Sequence, residues 1–437
     1  MRKNFTKIAC LLAIFAAISF GQNAAGVGSI TGIVQDASGA VIPGAKVVVE
    51  NDSKGLHRNL ESNAAGVFNA PALTPASGYQ VSVTKDGFNS YEVKDITLHV
   101  GETINLKSVL SISSTTTAVE VSSEAPVVES SKTDVSQVVT SRQILDLPIN
   151  GRRVDNFVLL TPGVTTDGSF GLIAFRGNPG GNSFLTDGND TTNSFYDENA
   201  GRTRTTNISQ DAVQEFQVVS SNFLAEYGRA SGGVINTVTR SGSNDFHGTA
   251  YWFFRNRTLD AVDITAQGVN PRDTRHQAGA SIGGPIVKDK LFFFFNGELQ
   301  RRENPIVSSN FNNRIFDLNG NYLEVDPSTK GPNCDVTKAT PAQCQAAISY
   351  LQSRAGTQSV PRTADTNLLF GKIDYHPNER SAFSFSANYL DFRSPNGIQT
   401  QLSLADGSAV GNNANTTVFD RTARASWTYI VNPNIVN

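Results

Sequence analysis

The sequence predicts a mainly β protein in three successive parts. A small β-sandwich comes first, an α+β domain second, and the first strands of a transmembrane antiparallel β-barrel last. Three observations predict this: short β-type runs separated by turn signals, long segments with one apolar and one polar face, and composition. Phe (26) and Gly (37) are plentiful among the 437 residues, while Met (1) and Trp (2) are scarce. That mix argues for strands and turns over a helical bundle. Charged residues are only 17% and aromatics 9%, which excludes disorder as the main theme. A net charge of −3 and a pI near 6.0 lack the basic excess of a nucleic-acid binder.

The N-terminus carries Arg2, Lys3 and Lys7 ahead of an apolar run from Ile8 to Phe20. Basic residues before so short an apolar run read as a secretory signal peptide, here residues 1–25. The run is shorter than the roughly 20 residues a spanning helix needs. Cys10 sits too early to be a lipoprotein acceptor. Export leaves Cys334 and Cys344 in a polar stretch, where a loop disulfide fits an oxidising compartment. No other segment reads as a transmembrane helix, so a membrane location requires a barrel.

Residues 28–110 hold the sandwich. Its β-type runs are Ser29 to Val34, Ala45 to Glu50, Gly66 to Phe68, Gln80 to Lys85, Tyr91 to Leu98 and Glu102 to Leu110. Turn signals such as Pro43-Gly44, Asp86-Gly87 and Val100-Gly101 separate them. The stretches GAVIPGAKV (39–47), NAAGVF (63–68) and VTKDGF (83–88) resemble the carboxypeptidase regulatory-like domain, a non-catalytic, transthyretin-like sandwich.

A linker, 111–132, follows and is Ser/Thr-rich at its start, with the short extended run Thr117-Ala118-Val119-Glu120-Val121 inside it. The α+β domain occupies 133–243. Ser141 is expected to cap a short helix that Pro148 stops, and Asp155 to Leu160 reads as a second, ended by Pro162-Gly163.

Residues 245–437 contain six segments with alternating faces. Phe383, Phe385, Ala387 and Tyr389 oppose Ser384, Ser386 and Asn388; Ala423, Ala425, Trp427 and Tyr429 oppose Thr422, Arg424, Ser426 and Thr428. In the aromatic run, Phe293 and Phe295 are expected to face lipid and Phe292 and Phe294 the interior. Tight links near Val287-Lys288-Asp289 and Pro377 to Arg380 alternate with long ones near 257–276, 303–365 and 394–416. Outer-membrane barrels show this alternation of short periplasmic turns and long outer loops. Six strands cannot close around a plug, since single-chain barrels begin at about 8 strands and plugged transporters use about 22. The sequence is therefore expected to be the N-terminal part of a longer protein.

The motifs SRQILDLPINGR (141–152), LLTPGV (159–164), FLTDGND (184–190), AVQEF (212–216), AEYGR (225–229) and GGVINTVTRSG (232–242) resemble the plug domain of TonB-dependent outer-membrane receptors, in the Oar-like branch. Plug-motif residues matching that resemblance are Arg176, Gly177, Asp187, Gly188, Asp190, Gly232 and Gly233. Asp187 and Asp190 read as turn formers. The resemblance also makes Thr117, Ala118, Val119, Glu120 and Val121 a candidate TonB box. There an extended segment adds its backbone to a partner's sheet edge. The alternative is that this run is the last strand of the sandwich, or plain linker. The implied partners are a TonB-type energy-coupling protein of the inner membrane, outer-membrane lipid and a ligand, small or bulky, that the residues do not name.

Arg240 and Arg255 are candidates to face the barrel lumen and pair with plug carboxylates. No cofactor, metal or catalytic residue is implied. His99 and Glu102 spell H-x-x-E, but at a strand–turn–strand step without a credible third ligand. Gly177 to Asn182 is glycine-rich yet lacks the P-loop Lys and Ser/Thr. The rival from another class is a secreted or surface-attached adhesin built from β domains, which needs neither a plug nor lipid-facing alternation.

Overall fold

A computed structural model of the chain describes residues 26–112, 119–122, 134–166, 172–192, 207–223, 227–259, 261, 273–307, 338–354, 359–360, 362–395, 415–432 and 435–436. The expected signal peptide, Thr117, Ala118, Ala225, Glu226 and Cys334 lie outside these residues.

The sandwich is built from β1 (Gly28–Asp36), β2 (Lys46–Asn51), β3 (Leu56–Glu61), β4 (Val67–Leu73), β5 (Ala76–Thr84), β6 (Tyr91–Leu98), β7 (Thr103–Leu110) and β8 (Val119–Ser122). A three-stranded sheet, β4-β1-β7, faces a five-stranded one, β3-β2-β5-β6-β8. Period-two alternation drives the packing: Ile30 and Val34 on one sheet meet Val47, Val49, Val81 and Val83 of the other, all fully buried. Tyr79 is also fully buried and spends its hydroxyl on the carbonyl of Thr74 at 2.7 Å. The run readings missed β3. This edge strand buries no residue fully, and His57, Arg58 and Asn59 blunt its apolar signal.

The α+β domain has β9 (Val135–Val139), β10 (Val164–Thr166), β11 (Ile173–Phe175), β12 (Ser183–Thr186), β13 (Asn189–Asp190), β14 (Val213–Ser221) and β15 (Val234–Thr239). Its main sheet is mixed, in the order β13-β12-β15-β14-β9, with β12 and β15 parallel. The helix Ser141–Asp146 packs Ile144 onto this sheet's core. Its N-cap is Thr140, not Ser141: Thr140 and Gln143 form a reciprocal capping box, and the Ser141 hydroxyl instead donates to the Gln214 carbonyl. The second helical stretch is a 3-10 helix, Val154–Leu160.

The barrel wall comprises β16 (His247–Asn256), β17 (Thr274–Val287), β18 (Leu291–Glu303), β21 (Asp365–Asn378), β22 (Ser381–Ser394), β23 (Thr416–Asn432) and β24 (Ile435–Val436). A two-residue pair, β19 (Ile306–Val307) with β20 (Ser359–Val360), and the helix Pro341–Arg354 lie within the longest connection. The seven barrel strands form one antiparallel meander, open at β16 and β24 among the described residues. Several strands run to 13–17 residues, beyond the roughly 10 that cross a bilayer. The outer face is apolar: Trp252, Phe295, Leu369, Ile373, Phe385 and Trp427 are all exposed. Near the short turns, Tyr375, Phe383, Trp427 and Tyr429 stack in succession at 6.2, 5.8 and 5.7 Å between centroids. At the long-loop end, Trp252 stacks on His276 at 5.9 Å. Two such bands mark the interfaces of a membrane-spanning barrel. Among the described residues no helix is long and apolar enough to cross a membrane.

Candidate functional site

The inner face of the barrel wall receives the α+β domain as a plug. Phe292 and Phe294 point inward and are buried, as alternation requires, and Phe294 joins Phe370 in the plug's own core cluster. Plug and wall thus share one apolar core.

A buried polar network lies beside it. Glu298 on β18 is 7% exposed. Its carboxylate accepts from the Ser209 hydroxyl at 2.5 Å, the Tyr251 hydroxyl at 2.6 Å and the Gln277 amide at 2.6 Å. Ser209 belongs to the plug, and Tyr251 and Gln277 to the wall. Arg152 of the plug sits over the Tyr251 ring at 4.1 Å and pairs with Asp211 at 2.5 Å. Its Nε lies 3.9 Å from Glu298. The Ser209, Tyr251 and Gln277 donors and one Arg152 nitrogen each meet a carboxylate, which offsets the cost of burying these charges.

A second junction lies near the short turns. Asp187 and Gly188 are the two central residues of the β12–β13 hairpin, with φ of 48° and 76°. Positive φ at both is the two-residue I′ hairpin that an Asp-Gly pair favours. The Asp187 carboxylate accepts from the Thr239 amide and hydroxyl at 2.8 and 2.6 Å and pairs with Lys372 of β21 at 3.4 Å. One turn residue thus joins two plug strands to the wall. Asp374, His376 and Thr428 of the wall, with Lys54 of the sandwich, line the same cavity of about 140 Å³.

The other motif residues hold the plug together. The Arg176 guanidinium donates to the carbonyls of Ser220 and Gly232, at 2.7 and 3.2 Å, from the turn it shares with Gly177. Asp190 closes a local turn on Thr192 and pairs with exposed Arg229 at 3.2 Å. Gly232 lies against Asn182, and Gly233 against the Phe175 ring, where a Cβ would come within 2.4 Å. Arg240 remains within the plug region, donating to the Val213 carbonyl at 3.1 Å and feeling Asp211. Arg255 is exposed at the long-loop end of β16, near Asp273.

Val119, Glu120 and Val121 of the candidate coupling segment lie in β8, which pairs in parallel with β6 from Tyr91–Val119 to Lys94–Ser122. The structure therefore places this part of the segment at the edge of the sandwich. Cys344, in the Pro341–Arg354 helix, is disulfide-bonded. His99 and Glu102 serve local ends: the Glu102 carboxylate accepts the His99 amide, and the His99 ring meets Glu215 of the plug at 2.8 Å. Among the described residues no group of three metal-binding side chains occurs.

Sequence reading did not single out Lys54, Arg152, Asp211, Glu215, Glu298 or Lys372 for these contacts. Arg152 ends a quoted motif, and Glu298 and Lys372 lie on polar faces of alternating strands, which was the available signal.

A sandwich ahead of a plug, itself seated against an antiparallel membrane-spanning wall, is the architecture of a plugged outer-membrane β-barrel. Residues 238–437 match the family model described as "Outer membrane beta barrel domain", and residues 29–111 that of the "Carboxypeptidase regulatory-like domain". The chain is a homologue of the TonB-dependent transporter Oar of Myxococcus xanthus, 28% identical over 394 residues, covering 86% of this chain and 34% of that protein. It is 24% identical over 190 residues to the probable TonB-dependent siderophore receptor PirA of Acinetobacter baumannii, covering 40% of this chain and 24% of that one. Similar solved structures include the ferric enterobactin receptor PfeA of Pseudomonas aeruginosa, in an R480A mutant bound to enterobactin. It has a TM-score of 0.47 and 15% identity, and covers 68% of this chain and 39% of that one. The siderophore receptor PirA of A. baumannii gives 0.43 and 18%, covering 67% and 37%.

Proposed function

We propose that this chain serves in the TonB-dependent uptake of a bulky or scarce solute through a plugged barrel of the outer membrane. The observation that carries this reading is the plug's seat. It meets the wall through Ser209 on Glu298, Asp211 on Thr249 and Arg152 beside Glu298, polar contacts that water can replace. A plug held by apolar packing alone would offer no such route. Solute bound from the long-loop side biases the plug. An energy-coupling protein of the inner membrane then captures residues 117–121 from the periplasm by strand addition and pulls. In this reading the short turns and the sandwich are periplasmic, and export depends on residues 1–25.

The chain's length amounts to 34% coverage of the Oar transporter, so the activity of a whole receptor is part of this proposal. The residues name no solute. The adhesin alternative gains no support, since it supplies no reason for a plug buried against a lipid-facing wall. Deleting residues 117–121 from the full receptor tests the reading. Uptake is expected to stop while ligand binding at the cell surface persists. Undiminished uptake removes residues 117–121 as the capture site.

A further inference from the structure

The sandwich grips the plug and wall at two places. In the first, the turn after β2 enters the cavity where the three parts meet. Lys54 donates to the Gly242 carbonyl at 3.0 Å and the Ser241 hydroxyl at 3.2 Å. The Asn244 backbone N–H donates to the Ser53 carbonyl at 2.8 Å, and the Asn244 side chain reaches both the Asp52 carbonyl and the Asp289 carboxylate. Gly55, at φ +57°, backs directly onto Asp289, where a Cβ would lie 2.4 Å from its Cα. In the second, the β6–β7 turn meets the plug. Glu215, whose side chain is 5% exposed, accepts from the Val100 amide at 2.6 Å and contacts the His99 ring at 2.8 Å.

The second grip and the candidate coupling segment share one strand. β6 is paired with β8 along Tyr91 to Lys94, and five residues later the chain reaches His99 and Val100, which hold Glu215. The β8 pairing is only four residues long, parallel and at a sheet edge. A pull at β8 is therefore passed through its pairing to β6 and the Glu215 grip.

We infer that the sandwich is a periplasmic latch: it pins plug to wall through its Asp52–Gly55 turn, with Lys54, and through its contact with Glu215, and energy coupling releases it before the plug moves. The inference rests on the proposed function in taking residues 117–121 as the point of capture. Docked, the sandwich closes the short-turn side of the three-part cavity. Undocked, it opens that cavity and frees Ser241 and Gly242, which lead from the plug into β16.

The test locks the latch. In the full receptor, Ser53→Cys with Asn244→Cys places two thiols at a backbone contact in an oxidising compartment. The cross-linked protein is expected to bind ligand normally, to transport none, and to recover transport on reduction. Undiminished uptake by fully cross-linked protein overturns the latch. A receptor that loses uptake on deletion of 117–121 but transports when cross-linked keeps its function and loses only the latch. Undiminished uptake after deletion removes residues 117–121 as the capture site and overturns the latch as a device released by a pull at β8. A second measurement uses Thr428→Cys, which lines the cavity. Adding Lys54→Met should speed its labelling from the periplasm about tenfold, the factor for losing hydrogen bonds worth ~1.4 kcal/mol. An unchanged rate overturns the role of Lys54.

Discussion

Glu298→Ala is the substitution that most directly probes how the plug is held. It removes the acceptor shared by Ser209, Tyr251 and Gln277 and leaves Arg152 with Asp211 alone. Ser209 and Gln277 are 1% and 4% exposed, so water does not replace the lost partner while the plug is seated. A buried donor left unsatisfied costs ~1–3 kcal/mol, and the two hydroxyls can rotate, so the total is roughly 3 kcal/mol. That corresponds to about a hundredfold rise in the fraction of unseated plug. Ser281 faces the plug from β17, 8% exposed and bonded to the Thr249 hydroxyl at 2.8 Å. A Ser281→Cys reporter in the full receptor, labelled under conditions where reseating outpaces reaction, reads that fraction directly. Glu298→Gln keeps one acceptor oxygen and should produce a smaller effect. If Glu298→Ala leaves labelling unchanged, the polar network does not hold the plug and the reasoning fails.

Other perturbations address each part separately. Gly233→Ala places a Cβ 2.4 Å from the Phe175 ring, an overpacking of ~1–3 kcal/mol; it should lower the yield of protease-resistant plug. Tyr79→Phe deletes the 2.7 Å bond to the Thr74 carbonyl in a fully buried site, for a loss of ~1 kcal/mol in sandwich stability measured by denaturant titration. Burial lowers the Lys54 pKa from 10.5 to about 8, with Asp374 opposing the shift. Undocked and solvated, Lys54 binds its proton up to the higher value. The undocked form therefore holds more protons between those two limits, and docking should strengthen as pH rises from about 8 to 10.5 and stay flat below. The ratio of Thr428→Cys labelling with and without Lys54→Met, followed across that range, checks the sign.

Much of the architecture was legible because β structure writes its orientation into a period of two. Phe292 and Phe294 had to face opposite Phe293 and Phe295 whatever they packed against, and the wall's burial follows that order. Short and long connections set the antiparallel meander, and Asp187-Gly188 announced its own hairpin. Where local signals are weak the reading slipped. The edge strand Leu56–Glu61 buries too little to show apolar alternation, and Thr140 took the cap because its spacing to Gln143 completes a reciprocal box that Ser141 does not.

By itself, then, the sequence determined most of the strands and which face of each is apolar. Those properties depend on near neighbours along the chain. Only the tertiary structure decided which charges meet. Lys54 finds Gly242 across 188 positions, Lys372 finds Asp187 across 185, and Glu298 gathers donors from three separate elements. No local pattern encodes such pairings, because a lumen-facing carboxylate and a solvated one look alike until burial removes the water that would otherwise satisfy them.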